Sequence, residues 1–201
     1  MLVHEATGAA RTIGLDRSSP FLDAAAARSS DVVTFLAHDV LETPLPVGPA
    51  DLIYARLLTA HLAYPATVIA GWITGLTVGG RLLLDEPEEV LTDEPVIRTY
   101  LDEVAIPLVR SQGGDLLVGP TLHAMADPPG TARTHDEVAT FTPPVTVTAR
   151  IFSMNLDVVT TAGEIEPRPD LAEGLAAIVE GRVDADPVTW RMRQIALERR
   201  T

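Results

Sequence analysis

Short apolar runs alternate with helix-like segments along the first 85 residues, and this alternation restricts the fold more than any other feature of the sequence. Two helical patterns, at residues 18–27 and 66–76, lie between runs that have the length of buried strands. Those runs are Arg11–Asp16, Val32–Leu36, Ala50–Ala55 and Arg81–Asp85. Strands separated by helices at such short intervals predict an α/β fold: a mostly parallel sheet with helices on both faces.

The second half of the chain has a less regular pattern. Residues 86–114 read as an acidic helical segment and a loop rich in proline and glycine follows, so residues 86–130 are expected to form a helical cap over the ligand end of the sheet. Thr134–Glu137 is predicted to begin a short helix, and the alternating segment Val145–Ile151 is predicted to be a strand.

Two amphipathic helices, at residues 170–181 and 186–200, are predicted to end the chain, within a C-terminal helical segment that we place at 170–201. No internal repeat and no convincing linker interrupts the sequence. Residues 1–201 are therefore predicted to form a single domain.

The charge of the chain restricts its partners. Its formal net charge is −13, whereas nucleic acids and anionic membranes call for a basic surface. We therefore expect neither as a partner. All 15 basic residues are arginine, which excludes chemistry that depends on a lysine nucleophile or Schiff base.

The chain contains no cysteine, so disulfides, thiolate metal sites and cysteine catalysis are excluded. The five histidines lack the spacing of paired metal ligands, and we predict no metal site. The sequence begins without the pattern of a secretory signal and contains no apolar run long enough to span a membrane. These features together predict a cytoplasmic protein.

Four motifs stand in a familiar order and at familiar intervals. They are Gly14-Leu-Asp-Arg-Ser18, Ala37-His-Asp-Val40, Ala50-Asp-Leu-Ile-Tyr-Ala-Arg56 and Leu76-Thr-Val-Gly-Gly-Arg-Leu-Leu-Leu84. Together they resemble the class I, Rossmann-fold, S-adenosylmethionine-dependent methyltransferases. The resemblance implies S-adenosylmethionine as cofactor and transfer of its methyl group to a small-molecule acceptor.

The resemblance also implies which residues hold the cofactor. Asp16, followed by Arg17, matches the acid that binds the ribose hydroxyls, and Asp39 with Val40 matches the pair that borders the adenine. Ala55 and Arg56 match the segment beside the methionine portion. For Asp16 and Asp39 the alternative interpretation is a local cap or turn, and for Arg56 it is a salt bridge to one of the many acids.

On the acceptor side, the resemblance places His61 where these enzymes commonly have a histidine before a leucine. Its imidazole is a candidate general base, because an unperturbed histidine titrates near neutrality, although a lone histidine on a helix is also commonly structural. Glu86 and Glu88, which leave a strand at the ligand end of the sheet, and Tyr100 in the cap are candidate acceptor-binding residues.

The sequence departs from the family at its beginning. The family has a central strand and a glycine-rich turn there, and residues 1–6 correspond at most to the end of the helix that follows. We therefore expect an N-terminally truncated sheet with unpaired edges and an impaired enzyme. A smaller departure is Val78, which stands where the family has proline.

Two other functions remain open at this point. A nicotinamide-dependent oxidoreductase would also use an acid such as Asp16 to bind ribose, but the sequence lacks both a glycine fingerprint and the lysine of short-chain dehydrogenases. A non-catalytic methyltransferase-like module would bind a partner, or a second copy in a homodimer, through the strand edges left unpaired.

Overall fold

The computed structural model describes residues 2–201, and it confirms the predicted α/β fold class. Met1, the first residue of the segment predicted to end a helix, lies outside the described residues. The strands are β1 (Thr12–Asp16), β2 (Val33–Ala37), β3 (Ala50–Arg56), β4 (Leu76–Thr92), β5 (Thr131–Phe141) and β6 (Val188–Arg199). The helices are α1 (Leu2–Thr7), α2 (Ser19–Ala26), α3 (Pro65–Ile73), α4 (Pro95–Tyr100), α5 (Ile106–Ser111), α6 (Gly119–Ala124), α7 (Val145–Thr161) and α8 (Pro169–Val179).

The larger sheet has four strands in the order β3-β4-β6-β5. β3 and β4 are parallel, and β6 runs antiparallel to both of its neighbours, so three of the four strands share one direction. Leu84 lies opposite Ile195 in this ladder. Their buried side chains pack with Ile69 and Trp72 of α3 in the main hydrophobic core.

The four strands of the first half do not lie in one sheet. β1 and β2 form a separate parallel pair, in which Asp16 lies opposite Ala37. Within residues 2–201, no ladder joins β1 to β3, because no strand lies between them to carry the hydrogen bonds. Within the described residues, one edge of β1 and one edge of β3 therefore have no strand partner.

Several element predictions for the second half are wrong. β4 continues to Thr92, so residues 86–92 are strand rather than helix. The segment predicted to begin a helix at 134–137 lies in β5, and the strand predicted at 145–151 is the first part of α7. The predicted helix at 186–200 is β6, which pairs on both sides, whereas the helix predicted at 170–181 is confirmed as α8.

The cap is a helical layer that packs on the carboxyl end of β4 and on the beginning of β6, which lie side by side in the ladder. α4, α7 and α8 enclose a second hydrophobic core, in which Tyr100 stacks on Phe152 with ring centroids 4.4 Å apart. A π-helical turn, Leu101–Ala105, joins α4 to α5. Because β4 enters this layer with its carboxyl end, the cap lies beyond the edge at which parallel α/β sheets bind ligands.

Candidate active site

The carboxyl ends of β1 and β2 bring two predicted cofactor residues together. The side chain of Asp16 accepts a hydrogen bond from the backbone N–H of Ser18 at 2.8 Å, and that of Asp39 accepts one from Leu41 at 3.0 Å. Arg17 lies 3.6 Å from the second oxygen of Asp39. Both carboxylates thus stabilise local turns, as the alternative interpretation expects, but each retains acceptor capacity because a carboxylate has about four lone-pair sites.

Val40 connects this end of the small sheet to the main core. Its carbonyl oxygen accepts a hydrogen bond from Nε1 of Trp72 at 2.8 Å, and its side chain packs against the main core from the edge. The backbone N–H of His38 donates to the carbonyl of Asp16 at 2.9 Å. These contacts fix the turn after β2 against both α3 and the end of β1.

At the end of β3, Ala55 is buried and Arg56 is exposed. Nε of Arg56 lies 3.3 Å from Asp85, the residue opposite it on β4. The hydroxyl of Tyr54 and the amide of Gln194 also approach the carboxylate of Asp85, each at 3.4 Å. Arg56 therefore makes the salt bridge that was the alternative interpretation of this residue, although about half of its side chain remains exposed.

Glu86 is fully buried and serves the turn that follows β3. Its carboxylate accepts hydrogen bonds from the backbone N–H groups of Leu58, Thr59 and Ala60, at 2.9, 3.0 and 3.4 Å. Burial raises the pKa of Glu86, and the three N–H groups oppose that shift. The chain enters this turn through Leu57, whose φ of 53° is unusual for a residue other than glycine.

His61 ends the 3₁₀ turn that Glu86 supports. Its side chain is exposed, but the part that the protein covers lowers the pKa of the imidazole by desolvation. The turn is also fixed from the other side, because the carbonyl of Ala60 accepts the N–H of Asp115 at 2.9 Å. His61 therefore lies on a well-supported turn at the ligand end of β3.

The other predicted acceptor residues are engaged within the protein. Glu88 forms a bidentate pair with Arg193 at 2.7 and 2.9 Å, which lowers the pKa of Glu88. Tyr100 lies in the core of the cap, where burial raises its pKa to about 12. Glu86 caps the turn described above. None of these three side chains is free to meet an acceptor in this structure.

Sequence reasoning missed the ionic network that holds β4, β5 and β6 together. Arg193 binds both Glu88 and Asp136, and Arg133 binds Asp136 at 2.6 Å. Burial disfavours the charged form of Asp136, but hydrogen bonds from Arg133, His123 and Arg193 outweigh it and lower the pKa. The residues of this network are far apart in sequence. The only sign of it in the sequence was the alternation of charged and apolar residues in β6.

A cavity of about 770 Å³ lies between the cap and the end of the β4–β6 ladder. Val90, Leu101, Ile106 and Leu117 supply apolar walls, and polar groups lie among them. Its volume is in the range of small-molecule pockets. Within residues 2–201 the structure contains no cluster of metal-ligating side chains and no helix long and apolar enough to cross a membrane.

Comparison with known families identifies the first part of the chain. Residues 2–84 match the family model described as a methyltransferase domain. This range contains all four of the motifs on which the resemblance was based. No curated protein matches the chain in sequence.

Solved structures of methyltransferases share the fold. A putative methyltransferase from Bacillus halodurans is 11% identical, with a TM-score of 0.53 over 95% of this chain and 84% of that one. A putative type II methyltransferase from Anaeromyxobacter dehalogenans is 14% identical, with a TM-score of 0.54 over 98% and 84%. Coclaurine N-methyltransferase, bound to N-methylheliamine and S-adenosylhomocysteine, is 11% identical, with a TM-score of 0.54 over 94% and 60%. These likenesses confirm the predicted fold, and the family-model match supports the predicted family over residues 2–84.

Proposed function

We propose, from the premise that residues 2–84 belong to the methyltransferase-domain family, that this protein binds S-adenosylmethionine and transfers its methyl group to a small-molecule acceptor. The observation that carries the proposal is the placement of Asp16 and Asp39 side by side, at the carboxyl ends of two paired parallel strands. This is the edge at which α/β sheets bind nucleotide-like ligands.

The residues present fit the adenosine half of the cofactor. In our proposal Asp16 accepts hydrogen bonds from the ribose hydroxyls, since only one of its oxygens is used by the Ser18 N–H. Asp39 accepts from the adenine amino group, and Val40 borders the base. Arg17, which lies beside Asp39, closes this side of the site.

The methionine half is assigned to the end of β3. In our proposal Ala55 borders the methionine portion with its backbone, while its side chain is buried in the main core. Arg56, the next residue, binds the carboxylate of the cofactor or of the acceptor. Arg56 is free to do so because its contact with Asp85 is a single, half-exposed ion pair, and such pairs contribute only about 0–1 kcal/mol. The cavity next to the cap, which both apolar and polar side chains line, supports an acceptor of small-molecule size.

S-adenosylmethionine, when bound, supplies an electrophilic methyl group on a sulfonium. The protein has to align the acceptor in line with it and, where the acceptor is protonated, to remove a proton. We assign proton removal to Nδ1 or Nε2 of His61. Desolvation lowers the pKa of this imidazole below its ordinary 6.5, so at neutral pH it is in the neutral form that accepts a proton.

This assignment predicts a pH profile. The rate of methyl transfer should rise with pH through a value below 6.5, as His61 loses its proton, and then level off. His61→Gln should lower kcat by about a hundredfold or more, the typical contribution of a positioned base, and should remove the rise of the rate with pH. A variant that keeps the wild-type kcat and the same rise with pH would show that His61 is not the base.

The test of the proposed function is transfer of a labelled methyl group from S-adenosylmethionine to a panel of small hydroxyl, carboxyl and amine acceptors. We expect slow turnover, because Asp16 and Arg56 lie on two sheets that no ladder connects, and a displacement of about 1 Å can cost around a hundredfold in rate. Rapid turnover would contradict the proposed impairment. No transfer, together with no binding of S-adenosylhomocysteine, would contradict the function itself.

A nicotinamide cofactor is the first alternative ligand, since Asp16 would bind its ribose in the same way. A thermal shift distinguishes the two, because only a ligand that binds the native state raises the melting temperature. We expect S-adenosylhomocysteine to raise it and NAD to leave it unchanged.

The absence of cysteine supports our placement of the protein in a reducing compartment, the cytoplasm.

A non-catalytic binding module is the second candidate function, and the unpaired edges of β1 and β3 favour it. Exposed edges are templates for an added strand from a partner or a second copy. In that case a peptide or protein partner would protect the backbone amides of both edges from hydrogen exchange, and S-adenosylhomocysteine would not. Protection of these amides by S-adenosylhomocysteine, with none from a peptide or protein partner, would favour the enzyme.

A further inference from the structure

Helix α7 presents an apolar stripe that no other part of the described chain covers. Val147, Ile151, Met154 and Val158 are 46%, 50%, 62% and 63% exposed, in a protein whose cap core is otherwise well packed. The opposite face of the same helix is buried through Ala149, Phe152 and Leu156. Folding within the chain therefore uses one face of α7 and leaves a second apolar face in solvent.

The spacing of the stripe is that of a helix-pairing seam. Its members follow one another at intervals of four, three and four residues, which is the a/d alternation of a heptad pattern. Such a stripe stays on one side of a helix and meets the corresponding stripe of a partner helix. Over about 11 residues it extends roughly 16 Å, or three turns.

The charges beside the stripe indicate what the partner is. Arg150 and Asp157 are both exposed and lie on the same flank of the stripe, seven residues apart. Within residues 2–201, neither forms an ion pair. When two copies of a helix pack antiparallel, equivalent flanks face each other, so Arg150 of one copy comes opposite Asp157 of the other, twice. A parallel pair would instead place these charges against the flank that carries Asn155.

We infer that α7 mediates an antiparallel homodimer, in which Val147, Ile151, Met154 and Val158 of two copies interdigitate and Arg150 pairs with Asp157 across the two-fold axis. The contact is self-complementary, as a two-fold interface requires. Four stripe residues and one pair of charged residues per copy are far fewer than the roughly 20–30 residues that each side of a standard interface contributes, so we expect reversible association in the micromolar range rather than a permanent dimer. It needs no cofactor and stands apart from the proposed function.

Sedimentation equilibrium of the full chain, from about 5 to 500 µM, is the test. We expect a shift from monomer to dimer over this range, and Ile151→Glu should weaken association at least tenfold because it buries a charge at the seam. Val183→Glu, at another exposed valine outside the stripe, is the matched control and should leave association unchanged. A chain that stays monomeric to 500 µM, or a dimer that survives Ile151→Glu, would overturn the inference.

Charge reversal tests the antiparallel arrangement. Arg150→Asp should weaken the dimer by about three- to tenfold, because it places like charges opposite each other at two points. Adding Asp157→Arg should restore the affinity, since the pairs are then re-formed with reversed sign, and rising salt should reduce both effects. Loss without rescue would overturn the antiparallel pairing. Both residues are exposed, and far-ultraviolet circular dichroism checks that each variant keeps its fold.

Discussion

Glu86 is a buried carboxylate whose partners are three backbone N–H groups of one turn. A buried N–H without a partner costs about 1–3 kcal/mol, so the turn that carries His61 depends on this one side chain. The arrangement also explains why the pKa of Glu86 rises by less than burial alone would cause, since the N–H groups favour the charged form.

Replacing Glu86 tests this role. Glu86→Ala should lower the free energy of unfolding by about 3 kcal/mol or more, because all three N–H groups lose their acceptor. Glu86→Gln should cost less, since the amide oxygen keeps the two short bonds. Denaturant titration of both variants measures the difference, with Glu42→Gln as an exposed control. Equal losses for Ala and Gln would contradict the capping role.

The raised pKa of Glu86 also predicts how the stabilities of the native protein and of Glu86→Gln depend on pH. An acid whose pKa is raised by folding binds its proton more tightly in the folded chain, so its contribution to stability is present below its ordinary 4.5 and is lost as pH rises through the folded pKa. The stability of Glu86→Gln relative to the native protein should therefore increase as pH rises above about 4.5. A difference that moves the other way would contradict the raised pKa.

The positions of the candidate cofactor residues were predictable, because these residues lie at or just after the ends of apolar strands. Asp16, Asp39, Ala55 and Arg56 all lie at the carboxyl ends of strands that the sequence identified. Glu86 and Glu88 were placed at the same edge, but whether such a carboxylate faces a ligand or a protein donor depends on residues that come near only in the folded chain. The partners of Glu88 illustrate this, since Arg193 is 105 positions away.

At the scale of elements, the cap is held together by close helix contacts. Gly174 of α8 lies directly against Val96 of α4, and a Cβ atom at position 174 would overlap a γ-methyl group of that valine and lie 3.4 Å from its Cβ. α4 and α8 can therefore approach this closely only because position 174 has no side chain.

Gly174→Ala should thus destabilise the protein although alanine is the better helix former. Overpacking costs about 1–3 kcal/mol, which exceeds the gain of up to about 1 kcal/mol in helix propensity. In a Val96→Ala background the overlap is gone, and the same substitution should become stabilising. A double-mutant cycle by thermal unfolding measures this reversal of sign. An unchanged effect in both backgrounds would mean that α4 and α8 do not meet at this point.

Elements were predictable in the first half of the chain and not in the second for a physical reason. The strands before residue 86 are short apolar runs bounded by turn residues, a local signal. β6 carries arginines between apolar residues, and a strand with charges on both faces resembles an amphipathic helix unless its partners are known. Here the partners lie on the neighbouring strand β4, where Glu89 pairs with Arg191 and Glu88 pairs with Arg193.

At the scale of the whole molecule, the division into two sheets is the most consequential feature. A two-stranded sheet is marginal by itself, and every residue of β1 remains partly exposed. The segment after β2 connects the small sheet to α3, which packs on the larger sheet, through the hydrogen bond from Trp72 to Val40.

Hydrogen exchange should report this division. The amides of β1 and β2 should exchange much faster than those of β4 and β6, which pair in a long ladder and provide an internal reference. Bound S-adenosylhomocysteine should slow exchange in β1, because it would contact both sheets. Equal protection in the two sheets without ligand would show that they open as one unit.

The most direct test of the account is isothermal titration of the full chain with S-adenosylhomocysteine. We expect saturable binding that Asp16→Ala weakens by about ten- to a hundredfold, equivalent to about 1–3 kcal/mol for ribose hydroxyls left without an acceptor. Asp23→Ala, at an exposed position on α2, should bind like the native protein. Absence of binding to the native chain, or equal affinity for the native chain and Asp16→Ala, would contradict the proposed cofactor site.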